Sequence, residues 1–190
     1  MLSAPPRQGL SLIQFFAGMA AVALLYVLVF KLNAWLFSVA KITDHISWIF
    51  LPAAIRMLAV MLLGWSGVAG LYIGSLSLLG SMFEFDPLGA LIVAGLSSVP
   101  CLIAARVVQR LFRVRTDLAG MTGRQLLIFG LAGGFLSSGL HTLYFAYAAQ
   151  SLEPVDGFLP MFVGDTLGTF IVLYLGALVI NRLVPPAKED

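Results

Sequence analysis

Charged side chains are scarce in this sequence. Asp, Glu, Lys and Arg make up 11% of the 190 residues, whereas a soluble domain carries roughly 25%. Hydrophobic residues make up 60%, and the mean hydropathy is +0.99. A chain with so little polar surface cannot cover itself in water. The composition therefore excludes an ordinary soluble domain and predicts a protein whose solvent is the lipid bilayer.

Cysteine and enzyme motifs are also lacking. The single cysteine, Cys101, excludes an internal disulfide and any multi-cysteine metal or cluster site, and we expect it to be a small core residue. No G-x-S-x-G, P-loop, H-E-x-x-H or C-x-x-C motif occurs. The sequence thus predicts neither catalytic activity, nor a cofactor, nor a metal site.

Long apolar windows are frequent by contrast. A membrane-spanning helix needs about 20 mostly apolar residues, and six windows qualify: 10–30, 46–65, 66–83, 87–105, 125–149 and 158–181. We interpret the first as a helix and not a signal peptide, because no clear A-x-A cleavage site follows it. We predict one transmembrane domain over residues 1–190, an all-α polytopic bundle of about six transmembrane helices.

The segment 31–45 is too polar to span. Four of its apolar residues can share one helical face: Trp35, Leu36, Val39 and Ile42. Three charged residues would stay solvated: Lys31, Lys41 and Asp44. This pattern predicts a short interfacial helix with Trp35 at headgroup level, the alternative being a plain loop.

Basic residues cluster between the fourth and fifth windows: Arg106, Arg110, Arg113, Arg115 and Arg124. Because this cluster adjoins an apolar segment, it indicates a cytoplasmic loop and not a nucleic-acid site. Counting spans from it places both termini inside, N-in and C-in. We expect a multi-pass protein of the bacterial inner membrane, in contact with membrane lipid.

Prolines and glycines indicate where helices start and pack. Pro52, Pro87 and Pro160 are predicted to begin helices, because proline is tolerated in the first turn. A helix from Pro52 to the turn at 64–67 would be about 21 Å long, which is short for a span. Residues 46–51 must therefore form a half-helix, a kink or a re-entrant stretch buried against other helices.

Three ionisable residues lie deep in the windows: Arg56, His141 and Asp165. At 1.5 Å per residue their depths are about 15, 12 and 10 Å from one edge of the bundle, so we expect them at one level in its outer half. Tyr144 is expected on the face of His141, and Trp48 above Arg56. A triad with Ser137 or Ser138 is disfavoured, because Ser137 lies one turn deeper than His141 on the same helix.

Three readings of this cluster are open: a ligand site, a structural clasp between two helices, and a proton or ion path. Charges in a bilayer are costly and are rarely carried without a reason. Since Arg56 follows the helix start at Pro52, whose free N–H groups favour negative charge, a bound ligand would be a small amphipathic molecule with an anionic or hydrogen-bonding group.

Three stretches together resemble a known family: FLPAAIRMLAVMLLGWSGVAGLYIGSL at 50–76, the basic loop at 106–115 with the glycine- and serine-rich fifth helix, and MFVGDTLGTFIVLYLGAL at 161–178. They are similar to bacterial membrane-associated sensor domains of the MASE type. The resemblance implies a multi-helix sensory domain in which Pro52, Gly164, Asp165 and Gly168 match the family pattern. That family usually has more helices than the six predicted here.

We therefore expect a sensor-like or accessory membrane subunit. Only residues 182–190 follow the last window, so its state would be passed to a separate membrane or cytoplasmic protein. Two alternatives are a purely structural subunit of a larger membrane complex and a substrate-capture subunit of a small-molecule transporter, similar to those of energy-coupling-factor vitamin transporters.

Overall fold

The computed structural model describes residues 11–40, 46–82, 87–112, 122–148 and 154–183. Those ranges form six α-helices: α1 Leu12–Leu36, α2 Pro52–Leu63, α3 Trp65–Met82, α4 Pro87–Phe112, α5 Gly123–Leu143 and α6 Pro154–Leu183. A 3-10 helix, Ser38–Ala40, follows α1, and α5 continues into a π-helical turn, Tyr144–Ala148. The prediction of an all-α helix bundle is confirmed.

Four stretches are long and apolar enough to cross a membrane: Leu12–Leu36, Pro87–Phe112, Gly123–Tyr147 and Gly157–Gly176. They mark the chain as a membrane protein. The other two helices have shorter apolar stretches, Pro52–Leu63 and Trp65–Leu79. With 12 residues, α2 is only about 18 Å long. Length and composition alone thus support four spans, where six windows were predicted.

The region after the first window differs from its prediction. Residues 31–36 continue α1, since neither proline nor glycine interrupts them, and only the three residues Ser38–Ala40 form a separate short helix. Trp35 is exposed near the end of α1, where the N–H of Phe37 donates to the carbonyl of Asn33. Lys41, Ile42 and Asp44 lie outside the described residues.

Two of the three predicted proline starts are confirmed. Pro52 and Pro87 are the first residues of α2 and α4. Pro160 instead lies inside α6, which begins earlier at another proline, Pro154. Pro154 occupies the first helical position of α6, where proline is favoured, so Pro160 is not needed to explain where the helix starts. The prediction that α6 starts at or near Pro160 is therefore wrong, since the helix begins six residues earlier.

The short helix α2 lies at the centre of the bundle and contacts each of the other five helices. Eight of its residues are buried, and a helix that is covered on nearly all sides belongs in the interior. The main hydrophobic core surrounds α2, and its members include Met57, Val60, Leu71, Cys101, Ala104 and Phe129. The prediction that Cys101 is a core residue is confirmed.

The residues before α2 form a non-helical segment, 46–51, held by side-chain and backbone groups of two other helices. From α1, the Asn33 amide donates to the carbonyl of Ile49 over 3.2 Å and accepts from the N–H of Leu51 over 2.8 Å. From α6, the Gly164 carbonyl accepts from the N–H of Phe50 over 3.0 Å. Lipid could not satisfy these groups, so protein must do so.

Two glycines let this segment lie directly on α6. A Cβ at Gly164 would collide with the carbonyl oxygen of Ser47, and one at Gly168 with that of Phe50. The two glycines are one turn apart on the same face of α6, as in small-xxx-small packing. Close packing at a glycine also occurs between α3 and α1, where Gly70 lies against the backbone of Met19.

The connection between α2 and α3 is a single residue. Gly64 has φ +56°, in the left-handed region that favours glycine, and α3 begins at the next residue. The turn predicted over 64–67 is thus shorter than expected. Ser66 and Gly67 belong to α3, where the Ser66 hydroxyl donates to the Phe15 carbonyl of α1 over 2.7 Å.

The contact between α6 and the non-helical segment can be tested with glycine-to-alanine variants. Gly168→Ala should destabilise the protein by about 1–3 kcal/mol, because its Cβ would meet backbone atoms that cannot rotate away. Gly176→Ala, on the same helix with nothing within 4 Å of a Cβ, should be neutral or stabilise by about 0.5–1 kcal/mol. Unfolding in mixed detergent micelles measures both, and equal effects would contradict the packing described.

Candidate functional site

Arg56 projects from the second turn of α2 into the interior of the bundle, where it is 4% exposed. Its Nη2 lies 2.6 Å from Oδ2 of Asp165 on α6, and its Nη1 donates to the Ser137 hydroxyl of α5 over 2.9 Å. The guanidinium carbon lies 5.2 Å from the centroid of the Phe50 ring, a cation–π distance. Arg56 thus joins α2, α5, α6 and the non-helical segment.

The imidazole of His141 is oriented by its own helix. Its Nδ1 lies 2.8 Å from the carbonyl oxygen of Ser137, one turn earlier in α5. Because a carbonyl oxygen can only accept, Nδ1 carries the proton of the neutral ring, and Nε2 is left as an acceptor. Nε2 lies 3.4 Å from the Ser97 hydroxyl of α4, a long contact.

A partly open cavity of about 80 Å³ lies beside these groups, with walls from all six helices and the non-helical segment. Its polar lining residues are Ser47, Arg56, Ser75, Ser97, Ser137, His141 and Asp165. Its other lining residues are mainly aromatic and aliphatic and include Tyr26, Phe30, Phe50, Leu79, Phe145 and Met161. A site for one water needs about 10–15 Å³, so this cavity has room for several waters or a small polar group.

The structure brings together the three residues whose depths matched in the sequence. Arg56, His141 and Asp165 line the same cavity. Tyr144 and Trp48, expected beside them, do not line it. Tyr144 is half-buried where α5 becomes π-helical, and Phe145 takes the position next to His141. Trp48 is 41% exposed, because helical spacing does not apply to the non-helical segment that carries it.

Ser97, Phe50 and Asn33 contribute to this site but were not predicted from the sequence. Of the three, Asn33 has a position that could have indicated its role. Val22, Tyr26 and Asn33 are the buried residues of α1, at spacings of four and seven that define one helical face. A polar amide on the buried face of a membrane helix predicts an internal hydrogen-bond partner. Ser97 and Phe50 carried no comparable signal.

The arrangement is not that of a nucleophilic triad. Asp165 pairs with Arg56, and the His141 nitrogen that would face a triad carboxylate contacts the Ser137 carbonyl instead. Within the described ranges, no group of three or more His, Cys, Asp or Glu residues could hold a metal ion.

The basic residues lie away from this cavity. Arg106 and Arg110 are exposed on the last turns of α4, which runs to Phe112, so they belong to a helix and not to the predicted loop. The helix continues past residue 105 because Val108 still packs in the core. Arg124 is exposed in the first turn of α5. Arg113 and Arg115 lie outside the described residues.

No protein-family model matches this chain, and no curated protein or solved structure is found to be similar to it. Fold and site therefore define its class: an all-α membrane helix bundle with a buried ion pair beside a polar cavity. The resemblance to membrane-associated sensor domains stays a prediction.

The ion pair can be tested by a double-mutant cycle. Arg56→Met or Asp165→Leu alone should destabilise the protein by about 3–5 kcal/mol, because each leaves one buried charge uncompensated. The double variant should recover much of that loss. Arg110→Met, which removes an exposed arginine from α4, should change stability by less than about 0.5 kcal/mol. Additive losses in the double variant would show that the two charges do not interact.

Proposed function

We propose that this chain is a sensor-like or accessory membrane subunit that binds a small molecule in the cavity and passes the occupied state to a partner protein. The observation that carries this proposal is the combination of the buried Arg56–Asp165 pair with an adjoining cavity of about 80 Å³. A clasp that served only to lock helices would need no space beside it.

The polar lining of the cavity supports a ligand as well. Beside Arg56, the serines Ser75 of α3 and Ser137 of α5 line it, and a hydroxyl can donate or accept a hydrogen bond. Ser97 and His141 on the facing helices offer further polar contacts. The polar groups converge while the remaining wall is apolar, which is typical of small-molecule sites.

Binding can be coupled to helix packing through the non-helical segment. Its Ser47 and Phe50 line the cavity, while its backbone is tied to Asn33 of α1 and Gly164 of α6. A ligand that contacts Phe50 would favour one position of this segment over another. By linkage, the packing of α1 and α6 would then alter the ligand's affinity by the same factor. A partner that packs on either helix could respond.

Substrate capture for transport is the second candidate, favoured by the partly open shape of the cavity, which would let a molecule enter. The two functions predict different molecules bound to the purified protein. Tight retention of a metabolite by the purified chain would favour transport, whereas a stoichiometric partner protein would favour sensing.

We propose the bacterial inner membrane as the location, with both termini on the cytoplasmic side. Support comes from the exposed basic residues Arg106, Arg110 and Arg124, which flank the connection between α4 and α5. In this orientation the cavity would lie in the outer half of the bundle.

Two neighbouring serines of α4 provide a matched test of ligand binding. Ser97 lines the cavity, whereas the Ser98 hydroxyl donates to the Ala94 carbonyl of its own helix. Gentle purification followed by mass spectrometry should detect a small molecule bound to the wild-type protein. Ser97→Ala should weaken its binding about 3–10-fold, the effect of one lost hydrogen bond, and Ser98→Ala should leave it unchanged. If no molecule is retained and none binds in a metabolite screen, the proposal fails.

A further inference from the structure

We infer that the molecule accepted by this cavity is uncharged, with a polar end that both donates and accepts hydrogen bonds and a short apolar body. This inference rests on the proposed function and names the class of its ligand. An amide or an alcohol has these properties. A carboxylate and an ammonium group do not.

The first argument is the balance of charge. Arg56 and Asp165 are the oppositely charged side chains in the cavity wall, and they lie 2.6 Å apart. The site is therefore neutral as it stands, with the Arg56 charge already compensated. An anion could gain the guanidinium only by displacing Asp165, which would then be a buried, unpaired carboxylate. This argument removes the anionic ligand that the helix start at Pro52 suggested.

The second argument is the pattern of donors and acceptors. The Ser75 hydroxyl of α3 lines the cavity and can donate to an acceptor on a bound molecule. The His141 Nε2 is an acceptor, because Nδ1 holds the proton, and its contact with Ser97 is long at 3.4 Å. An amide or hydroxyl can serve both groups. A carboxylate accepts only, and an ammonium donates only.

The third argument is the apolar wall. Phe30, Phe50, Phe145, Leu79 and Met161 form an apolar part of the cavity wall beside the polar groups. A fully hydrophilic molecule would lose water there without compensation, whereas a short alkyl chain or a ring would gain contact. The geometry thus fits a small amphiphile with a neutral head.

Three probes of equal chain length separate these possibilities: butyramide, butyrate and butylammonium. Near neutral pH they are neutral, negative and positive. Binding is followed in detergent by the thermal unfolding midpoint and by nitrogen NMR of histidine. The sequence contains two histidines, so a His45→Gln variant leaves His141 as the source of the signal. Butyramide should shift the Nε2 resonance and bind about tenfold or more tightly than either ion, because an ion would bring an uncompensated charge into the site.

A variant should reverse the preference. Asp165→Asn keeps the shape of the side chain but leaves the Arg56 charge uncompensated, so butyrate should now bind more tightly than butyramide. Ser98→Ala, which does not line the cavity, should keep the wild-type order. If Asp165→Asn does not fold, the wild-type order and the His141 tautomer still decide the inference, since NMR reports directly which ring nitrogen carries the proton.

The outcomes distinguish the inference from the function on which it rests. Tighter binding of butyrate or butylammonium to the wild-type protein would overturn the neutral-ligand inference but keep the cavity as a binding site. A proton on Nε2 of His141 in place of Nδ1 would also overturn it. If none of the three probes shifts the His141 resonance or the unfolding midpoint, the neutral-ligand inference fails, whereas the proposed function fails only if the metabolite screen is also negative.

Discussion

The ion pair between Arg56 and Asp165 fixes the distance between α2 and α6, because neither charge can be left alone in the interior of an apolar bundle. Removing two such ions from water costs several kcal/mol each, and only close contact with further hydrogen bonds offsets this cost. Here the contact is 2.6 Å, and Ser137 and Phe50 complete the surroundings of the guanidinium. The central position of α2 follows, since Arg56 would be far more costly on a helix that faced lipid.

A second constraint follows from the shortness of α2. Its 12 residues cannot cross a bilayer, so the chain before it must continue through the interior without a helix. The backbone groups of that segment then need partners, which Asn33 and Gly164 supply from either side. The Gly164-Asp165-x-x-Gly168 pattern therefore has a local explanation. Its two glycines let the non-helical segment pack against α6. The aspartate between them forms the ion pair with Arg56, which follows that segment in the sequence.

Hydropathy predicted the six α-helices of the described residues, and a constant rise per residue predicted that Arg56, His141 and Asp165 lie together, as they do around the cavity. Hydropathy did not predict helix ends. α1 runs on to Leu36 and α4 to Phe112, since a helix ends where its backbone hydrogen bonding ends and not where apolar residues do. Tyr144 and Trp48 were misplaced for a related reason, because α-helical spacing was applied to a π-helical turn and a non-helical segment.

The sequence separation of the ion pair bears on how the chain enters the membrane. Arg56 and Asp165 are 109 positions apart, so the ribosome makes α2 long before the carboxylate that neutralises it. A 12-residue segment with an arginine near its middle is a poor substrate for the translocon, where such a charge costs about 2.5–3.5 kcal/mol. The partner that offsets the cost of burying Arg56 is therefore made only with α6, so the two ends of the sequence depend on each other for stable insertion.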